Sequence, residues 1–146
     1  MLVVFPIALW ITGVVFDIVG MVTGNPNARV VAFYNIGVGI IGALAAAIPG
    51  FIDYLTLEGR AARVGTWHMV LNLVALGFFT VSWLARTRWG AGVVGSESWV
   101  PTITGLVGLA VLAPSGWLGG ALVYEHGMGV EPATARGEPR NSRRAA

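Results

Sequence analysis

Four long apolar stretches, almost free of charged side chains, constrain this 146-residue chain more than any other feature. Asp17 is the only acidic, basic or imidazole side chain in the first stretch, and His68 is the only one in the third. A bilayer core of about 30 Å is crossed by about 20 apolar residues in a helix, and each stretch reaches that length. The stretches occupy residues 1–22, 30–52, 66–85 and 99–124.

Backbone amide and carbonyl groups cannot stay unpaired in lipid, so the stretches predict four transmembrane helices. We expect these helices at residues 2–22, 30–52, 66–85 and 99–124. Their short connections, such as the turn-forming Gly24-Asn25-Pro26-Asn27, predict an all-α integral-membrane four-helix bundle with up-down-up-down topology. Residues 1–129 then form one transmembrane domain, and the Pro- and Arg-rich residues 130–146 form a disordered tail.

The composition excludes several classes of protein. Charged residues make up 11% of the chain, against about a quarter in an average soluble domain. The absence of cysteine excludes disulfides, thiolate metal sites and covalently attached haem. The sequence has no phosphate-binding glycine loop, nucleophile elbow or HExxH motif, so we do not expect an enzyme on its own. Nucleic-acid binding is not expected either, because the arginine cluster lies in a short tail.

Arginines in the loops predict how the bundle lies in the membrane. In the predicted topology one side carries more of them than the other, and cytoplasmic loops carry the excess of positive charge. The richer side has Arg60, Arg63, Arg136, Arg140, Arg143 and Arg144, and the poorer side has Arg29, Arg86 and Arg88. Both termini are therefore predicted to be cytoplasmic. Use of Arg in place of Lys, with abundant Gly and Ala, indicates a high-GC bacterial genome and hence a bacterial inner membrane.

Asp17 is expected to have either an ion-pair partner or a functional role, because a charge at bilayer depth costs about 2.5 kcal/mol or more on insertion scales. It lies near the end of the first helix, on the side where Arg29 and Arg86 also lie. The structural alternative is an ion pair with one of these arginines. The functional alternative is a protonatable relay carboxylate in a proton or small-solute transporter.

A second set of polar residues converges on the opposite side of the membrane. The predicted topology brings together Asp53 after helix two, His68 at the start of helix three and Glu125-His126 after helix four. Asn72 lies one turn from His68 on the same side of its helix. Two imidazoles on facing helices are typical ligands of haem b, and with a carboxylate they suit zinc, iron or manganese. Alternatively, His68 bonds to a helix terminus and His126 is solvated.

Small residues recur four positions apart on two helices, which allows backbones to approach closely. On helix two they are Gly39, Ala43 and Ala47, and Gly42, Ala46 and Gly50; on helix four, Ser115 with Gly119 and Gly116 with Gly120. These faces indicate either the inside of a tight four-helix bundle or a homo-oligomer interface.

Several short motifs follow one another in a specific order along the chain. They are Phe5-Pro6-Ile7-Ala8-Leu9, Phe16-Asp17, Pro49-Gly50-Phe51-Ile52-Asp53, His68, Arg86, Gly116-Trp117-Leu118-Gly119-Gly120 and Tyr124-Glu125-His126-Gly127. In their order and spacing the chain resembles the DUF2231 family of predicted membrane proteins. The resemblance implies four transmembrane helices, a bacterial or archaeal membrane and an association with Rieske or cytochrome-like redox modules. It further implies polar family positions at Asp17, Asp53, His68, Arg86 and His126.

Two hypotheses for the function follow. In the first, the protein binds haem b or a divalent metal ion through His68 and His126 and transfers electrons in a membrane redox assembly. Asp53 is then a further metal ligand, or Asp53 or Asn72 orients an imidazole through its other ring nitrogen. In the second, the protein is a structural or accessory subunit without a cofactor. Besides the lipid bilayer, the expected partner is a redox protein or a second copy of the chain.

Overall fold

The computed structural model describes residues 2–88, 99–125, 127 and 128. It contains four helices, which are α1 (Val4–Thr23), α2 (Pro26–Tyr54), α3 (Gly59–Arg88) and α4 (Val100–Tyr124). Each is long and apolar enough to cross a membrane, and the described residues contain no strand. The predicted all-α, four-helix membrane fold is therefore confirmed. The predicted tail at 130–146 lies outside the described residues.

The turn between α1 and α2 forms where the sequence predicts it. Gly24 has a φ of 68°, a left-handed conformation that glycine adopts without a steric penalty, and it ends α1. The Asn25 side chain then accepts a hydrogen bond of 3.0 Å from the backbone N–H of Asn27, which caps α2. Pro26 occupies the first turn of α2, where its missing N–H costs nothing. This tight turn brings α1 and α2 side by side.

Helices α2 and α3 extend beyond the apolar stretches, with lengths of 29 and 30 residues. α3 begins at Gly59 instead of near residue 66, and its first turns carry the exposed side chains of Arg60 and Arg63. A helix need not end where the hydrocarbon ends, because long basic side chains reach water from the interface. Hydropathy therefore marks the membrane segment of α3 and underestimates the helix.

Two helix pairs, α1 with α2 and α3 with α4, make most of the contacts, and fewer contacts join α2 to α3 and α1 to α4. Within the first pair, Gly20 lies against Ala28 and Gly42 lies against Phe5, so the contacts run in antiparallel order. Within the second pair, residues late in α3 meet residues early in α4 in the same way. Each pair is thus a helical hairpin.

The core joins the two hairpins. It consists of Trp10, Val14, Ile36 and Phe79. The rings of Trp10 and Phe79 stack with centroids 4.2 Å apart, and the Trp10 indole N–H donates to the carbonyl of Ile36 at 3.4 Å. Many large apolar side chains remain exposed on the outside of the helices, which suits contact with lipid tails.

Candidate functional site

The predicted ion pair at one end of the bundle is formed between Asp17 of α1 and Arg86 of α3. Arg86 Nη1 donates to Asp17 Oδ1 at 2.6 Å, and Nη2 donates to Oδ2. Both side chains are buried, with 2% and 7% of their residue surfaces exposed. Two parallel hydrogen bonds between a guanidinium and a carboxylate combine charge neutralisation with a fixed geometry. The pair therefore satisfies both charges away from water.

Ser82 extends this pair to a third helix. Its hydroxyl donates to the carbonyl of Pro101 in α4 at 2.6 Å and accepts from Arg86 Nη2 at 3.2 Å. The cluster of Asp17, Ser82 and Arg86 thus connects α1, α3 and α4. A relay carboxylate must gain and release a proton, whereas both oxygens of Asp17 are bound by Arg86. The contacts favour the structural alternative for Asp17.

His68 lies near the start of α3, and its ring faces α4. A Cβ built on Gly119 would lie 3.0 Å from His68 Cε1 and 3.4 Å from Nδ1. Such distances are tighter than most real Cβ contacts, so a glycine at this position lets the imidazole approach the α4 backbone. The small residue that the sequence predicts as a packing position is therefore also part of the His68 environment.

The hydrogen bonds of His68 determine where its proton lies. Nδ1 is 2.8 Å from the carbonyl oxygen of Ser115, and a carbonyl oxygen only accepts, so Nδ1 carries the proton. Nε2 then has a lone pair, which accepts from the Asn72 amide nitrogen at 3.1 Å. The same amide nitrogen donates to the His68 carbonyl at 2.8 Å, which fixes the orientation of the amide group. These contacts fit the tautomer with its proton on Nδ1.

This arrangement suits a metal-binding imidazole. A ligating histidine generally donates its other ring N–H to a carbonyl or carboxylate, which fixes the tautomer and the ring orientation. The Ser115 carbonyl is such a partner for Nδ1, so Nε2 is the nitrogen that can bind haem iron or a transition metal. The residues present therefore fit one ligand position of the predicted site.

The carboxylates of the predicted site lie at helix ends. Asp53 in the last turn of α2 and Glu125 just after α4 are exposed, and within the described ranges no hydrogen bond joins either of them to His68. Among residues 2–88 and 99–125, no three His, Cys, Asp or Glu side chains form a group that could hold a metal ion. His126 lies outside the described residues, so its ligand role with His68 and Asp53 stays a prediction.

Ser115 is the residue of this site that the sequence does not identify as a partner of His68. It is buried, its carbonyl accepts from Nδ1, and its hydroxyl lies 3.2 Å from Nδ1 and donates to the His68 carbonyl at 3.4 Å. A backbone acceptor leaves no signature in a sequence. Its position next to Pro114, with a hydroxyl among the apolar residues in the middle of the helix, is the available signal.

The small-residue faces divide into covered and open positions. Gly39 lies against the Trp10 indole, and Gly119 lies against the His68 ring, so both serve packing within the chain. Nothing within 4 Å would meet a Cβ on Gly50, Gly116 or Gly120. The interior alternative is therefore correct for the covered positions, while the open positions face away from their neighbours.

Comparison with known proteins identifies the family to which the chain belongs. No curated protein and no solved structure is significantly similar to the chain. The sequence model of a family described as "Predicted membrane protein (DUF2231)" matches residues 1–132. This match spans the four helices described above. The chain therefore belongs to the DUF2231 family of predicted membrane proteins.

Proposed function

We propose that this protein binds haem b or a divalent metal ion between α3 and α4, through His68 and His126, and transfers electrons in a membrane redox assembly. The bound group supplies a redox-active iron or another metal centre. The protein resides in a bacterial inner membrane with both termini in the cytoplasm, on the arginine count of its loops. Its partner is a redox protein or a second copy of the chain.

The observation that carries the proposal is the contact of His68 Nδ1 with a backbone carbonyl. Its Nδ1–H donates to the Ser115 carbonyl at 2.8 Å, so Nε2 has the lone pair that a metal requires. The charged groups at the other end of the bundle differ, because Asp17 and Arg86 bind each other through two hydrogen bonds. An imidazole inside a membrane segment is more suited to metal binding than a carboxylate whose two oxygens are bound by a guanidinium.

The surrounding residues of the chain hold the imidazole in place. The Ser115 carbonyl orients the ring, and the absent side chain of Gly119 allows the ring to lie close to α4. In the up-down-up-down topology that the sequence predicts, the end of α4 returns to the side on which α3 begins, so we expect His126 on the side of His68.

The test is the visible spectrum and metal content of the detergent-purified protein, oxidised and then reduced with dithionite. We expect a Soret band with sharpened reduced α and β bands, or stoichiometric zinc, iron or manganese. His68→Ala and His126→Ala should each lose the pigment or metal and keep the helical content. Asn35→Ala is the matched control, since Asn35 bonds to Val31 of its own helix. Retention of the cofactor by both histidine variants would refute the proposal.

The second candidate function is a structural or accessory subunit without a cofactor. Gly116 and Gly120 of α4 are open, and Trp117 between them is 81% exposed, a surface that allows close approach of a partner helix. This candidate predicts a colourless, metal-free protein. Gly120→Leu should then weaken complex formation on native gels, whereas Gly77→Leu, at an open position of α3, should not.

A further inference from the structure

We propose that the outer face of α3 binds an anionic phospholipid, at the membrane surface on the side of the loop between α2 and α3. Five exposed residues of α3 form this face, which we call the lipid stripe. They are Arg60, Arg63, Trp67, Val70 and Val74. The two arginines bind the phosphate group, Trp67 lies at the level of the glycerol backbone, and the valines contact an acyl chain.

The members of the lipid stripe lie on one side of the helix because they are spaced alternately by three and four positions. At about 100° per residue, this spacing keeps them within an arc of about 80°. The opposite side of α3 faces the bundle, where Ala75 and Phe79 are fully buried. The lipid stripe therefore faces the bilayer, and it is separate from the ring of His68, which faces α4.

The order of residues along the lipid stripe matches the order of groups in a phospholipid. α3 begins at Gly59, ahead of the apolar stretch, so Arg60 and Arg63 lie at the level of the headgroups. Trp67 is 60% exposed and follows one turn later, where an interfacial tryptophan is expected. Arg63 and Trp67 are about 6 Å apart along the helix axis. The headgroup region on each side of a bilayer has a similar thickness, about 5–8 Å.

The two guanidinium groups are available to a phosphate. Within the part of the chain that the structure describes, neither Arg60 nor Arg63 forms an ion pair or a side-chain hydrogen bond. The other charged side chains described at this end of the bundle, Asp53, Glu58 and Glu125, are acidic. Positive charge is therefore concentrated on α3. Because a guanidinium can form two parallel hydrogen bonds with a phosphate, an anionic headgroup is the complement of this surface.

The first test counts the lipids bound to the detergent-purified protein by native mass spectrometry. Phosphatidylglycerol and phosphatidylcholine with identical acyl chains are titrated separately into the wild type and into Arg60→Gln/Arg63→Gln. We expect the wild type to prefer phosphatidylglycerol and the double variant to bind it about 30-fold more weakly. Glutamine is a good helix former, so circular dichroism should show unchanged helical content.

The control for the first test removes the same charge from another part of the sequence. Arg143→Gln/Arg144→Gln lowers the net charge of the chain by the same amount and leaves the lipid stripe intact. We expect this variant to bind phosphatidylglycerol as the wild type does.

The second test locates the bound lipid. The chain has no cysteine, so a single Val70→Cys substitution can carry a fluorescent label without background labelling. Lipids with brominated acyl chains quench a fluorophore that they contact. In bilayers of phosphatidylcholine, we expect brominated phosphatidylglycerol to quench this label more strongly than brominated phosphatidylcholine at the same mole fraction.

The matched control for the second test lies on α2. Tyr54 of α2 hydrogen-bonds Thr66 of α3 at 3.0 Å, so Ile48 reaches a depth similar to that of Val70. Ile48 is 67% exposed and lies outside the lipid stripe. A label on Ile48→Cys should be quenched equally by the two brominated lipids.

The outcomes decide the proposal without reference to a bound cofactor. Equal affinity of the wild type for the two lipids overturns it, and so does an equal loss of affinity in the two arginine double variants. Equal quenching of the Val70 label by the two brominated lipids also overturns it. A preference for phosphatidylglycerol that is lost only in Arg60→Gln/Arg63→Gln, together with stronger quenching at Val70, supports the proposal.

Discussion

The bundle has two polar clusters, an ion-pair cluster (Asp17, Ser82, Arg86) and an imidazole cluster (His68, Asn72, Ser115), and they differ in what they leave available. Along α3, His68 and Arg86 are separated by about 27 Å at 1.5 Å per residue. The ion-pair cluster joins the two hairpins through opposite charges that bind each other. The imidazole cluster lies within one hairpin, contains no Asp, Glu or Arg side chain, and has a single amide donor, that of Asn72, at Nε2.

The difference teaches that polar groups in a membrane bundle can serve packing or chemistry, and that charge compensation distinguishes the two clusters. Asp17 and Arg86 compensate each other's charge, and breaking such a pair is costly in a low-dielectric environment, although Arg86 Nε is buried without a hydrogen-bond partner. An imidazole that donates from one nitrogen and accepts at the other loses one weak bond when a metal binds. Three substitutions test this contrast.

The largest expected effect is that of Asp17→Ala. It leaves Arg86 buried without its carboxylate, and removal of one partner of a buried pair costs about 3–5 kcal/mol. Equilibrium unfolding in mixed detergent micelles measures the change in the free energy of unfolding. The double variant Asp17→Leu/Arg86→Met should be more stable than Asp17→Ala, because it leaves no unpaired charge. A loss below about 1 kcal/mol for Asp17→Ala would mean that the pair is solvated.

Gly119→Ala should have an intermediate effect. Its Cβ would lie 3.0 Å from His68 Cε1, so either the ring or the backbone must move, and overpacking costs about 1–3 kcal/mol. Thermal unfolding and the histidine 15N shifts measure the two consequences. Gly120→Ala is the matched control on the open side of α4. Equal stability and equal shifts for both variants would show that the His68 ring does not lie against Gly119.

Ser82→Ala should have the smallest effect. It removes the hydrogen bond to the Pro101 carbonyl and the contact with Arg86, and side-chain hydrogen bonds between membrane helices average about 0.6 kcal/mol with a maximum of about 1.7. Thr80→Ala is the control, because Thr80 bonds to Leu76 in its own helix. If Thr80→Ala lowers the free energy of unfolding more than Ser82→Ala, the link from α3 to α4 contributes little.

The fold was predictable from the sequence because the bilayer restricts the choices. Charge-free stretches of sufficient length specify helices, and an isolated charge such as Asp17 requires a counter-charge within reach. Arg86 was one of two candidates, and the structure selects it. The true start of α3 at Gly59 was less predictable, because hydropathy records where lipid contact begins and not where backbone hydrogen bonding begins.

The imidazole cluster was predictable in part. Helical periodicity predicts that His68 and Asn72, which are four positions apart, lie next to each other on α3. The Ser115 carbonyl could not be predicted, because its role depends on the rotation of α4 against α3 and on a backbone atom that every residue has. The sequence therefore predicts a polar cluster around His68. The partners of the two ring nitrogens follow only from the three-dimensional contacts.

The sequence separation of 69 residues from Asp17 to Arg86 has a consequence for synthesis of the protein. At about 5–20 residues per second, the ribosome synthesises Asp17 roughly 3–14 s before Arg86. During this interval the first hairpin is made without the guanidinium that binds Asp17 in the folded protein. Asp17 lies close to the end of α1, where a side chain can still reach the headgroups and water. The carboxyl group can therefore stay solvated there until α3 is inserted.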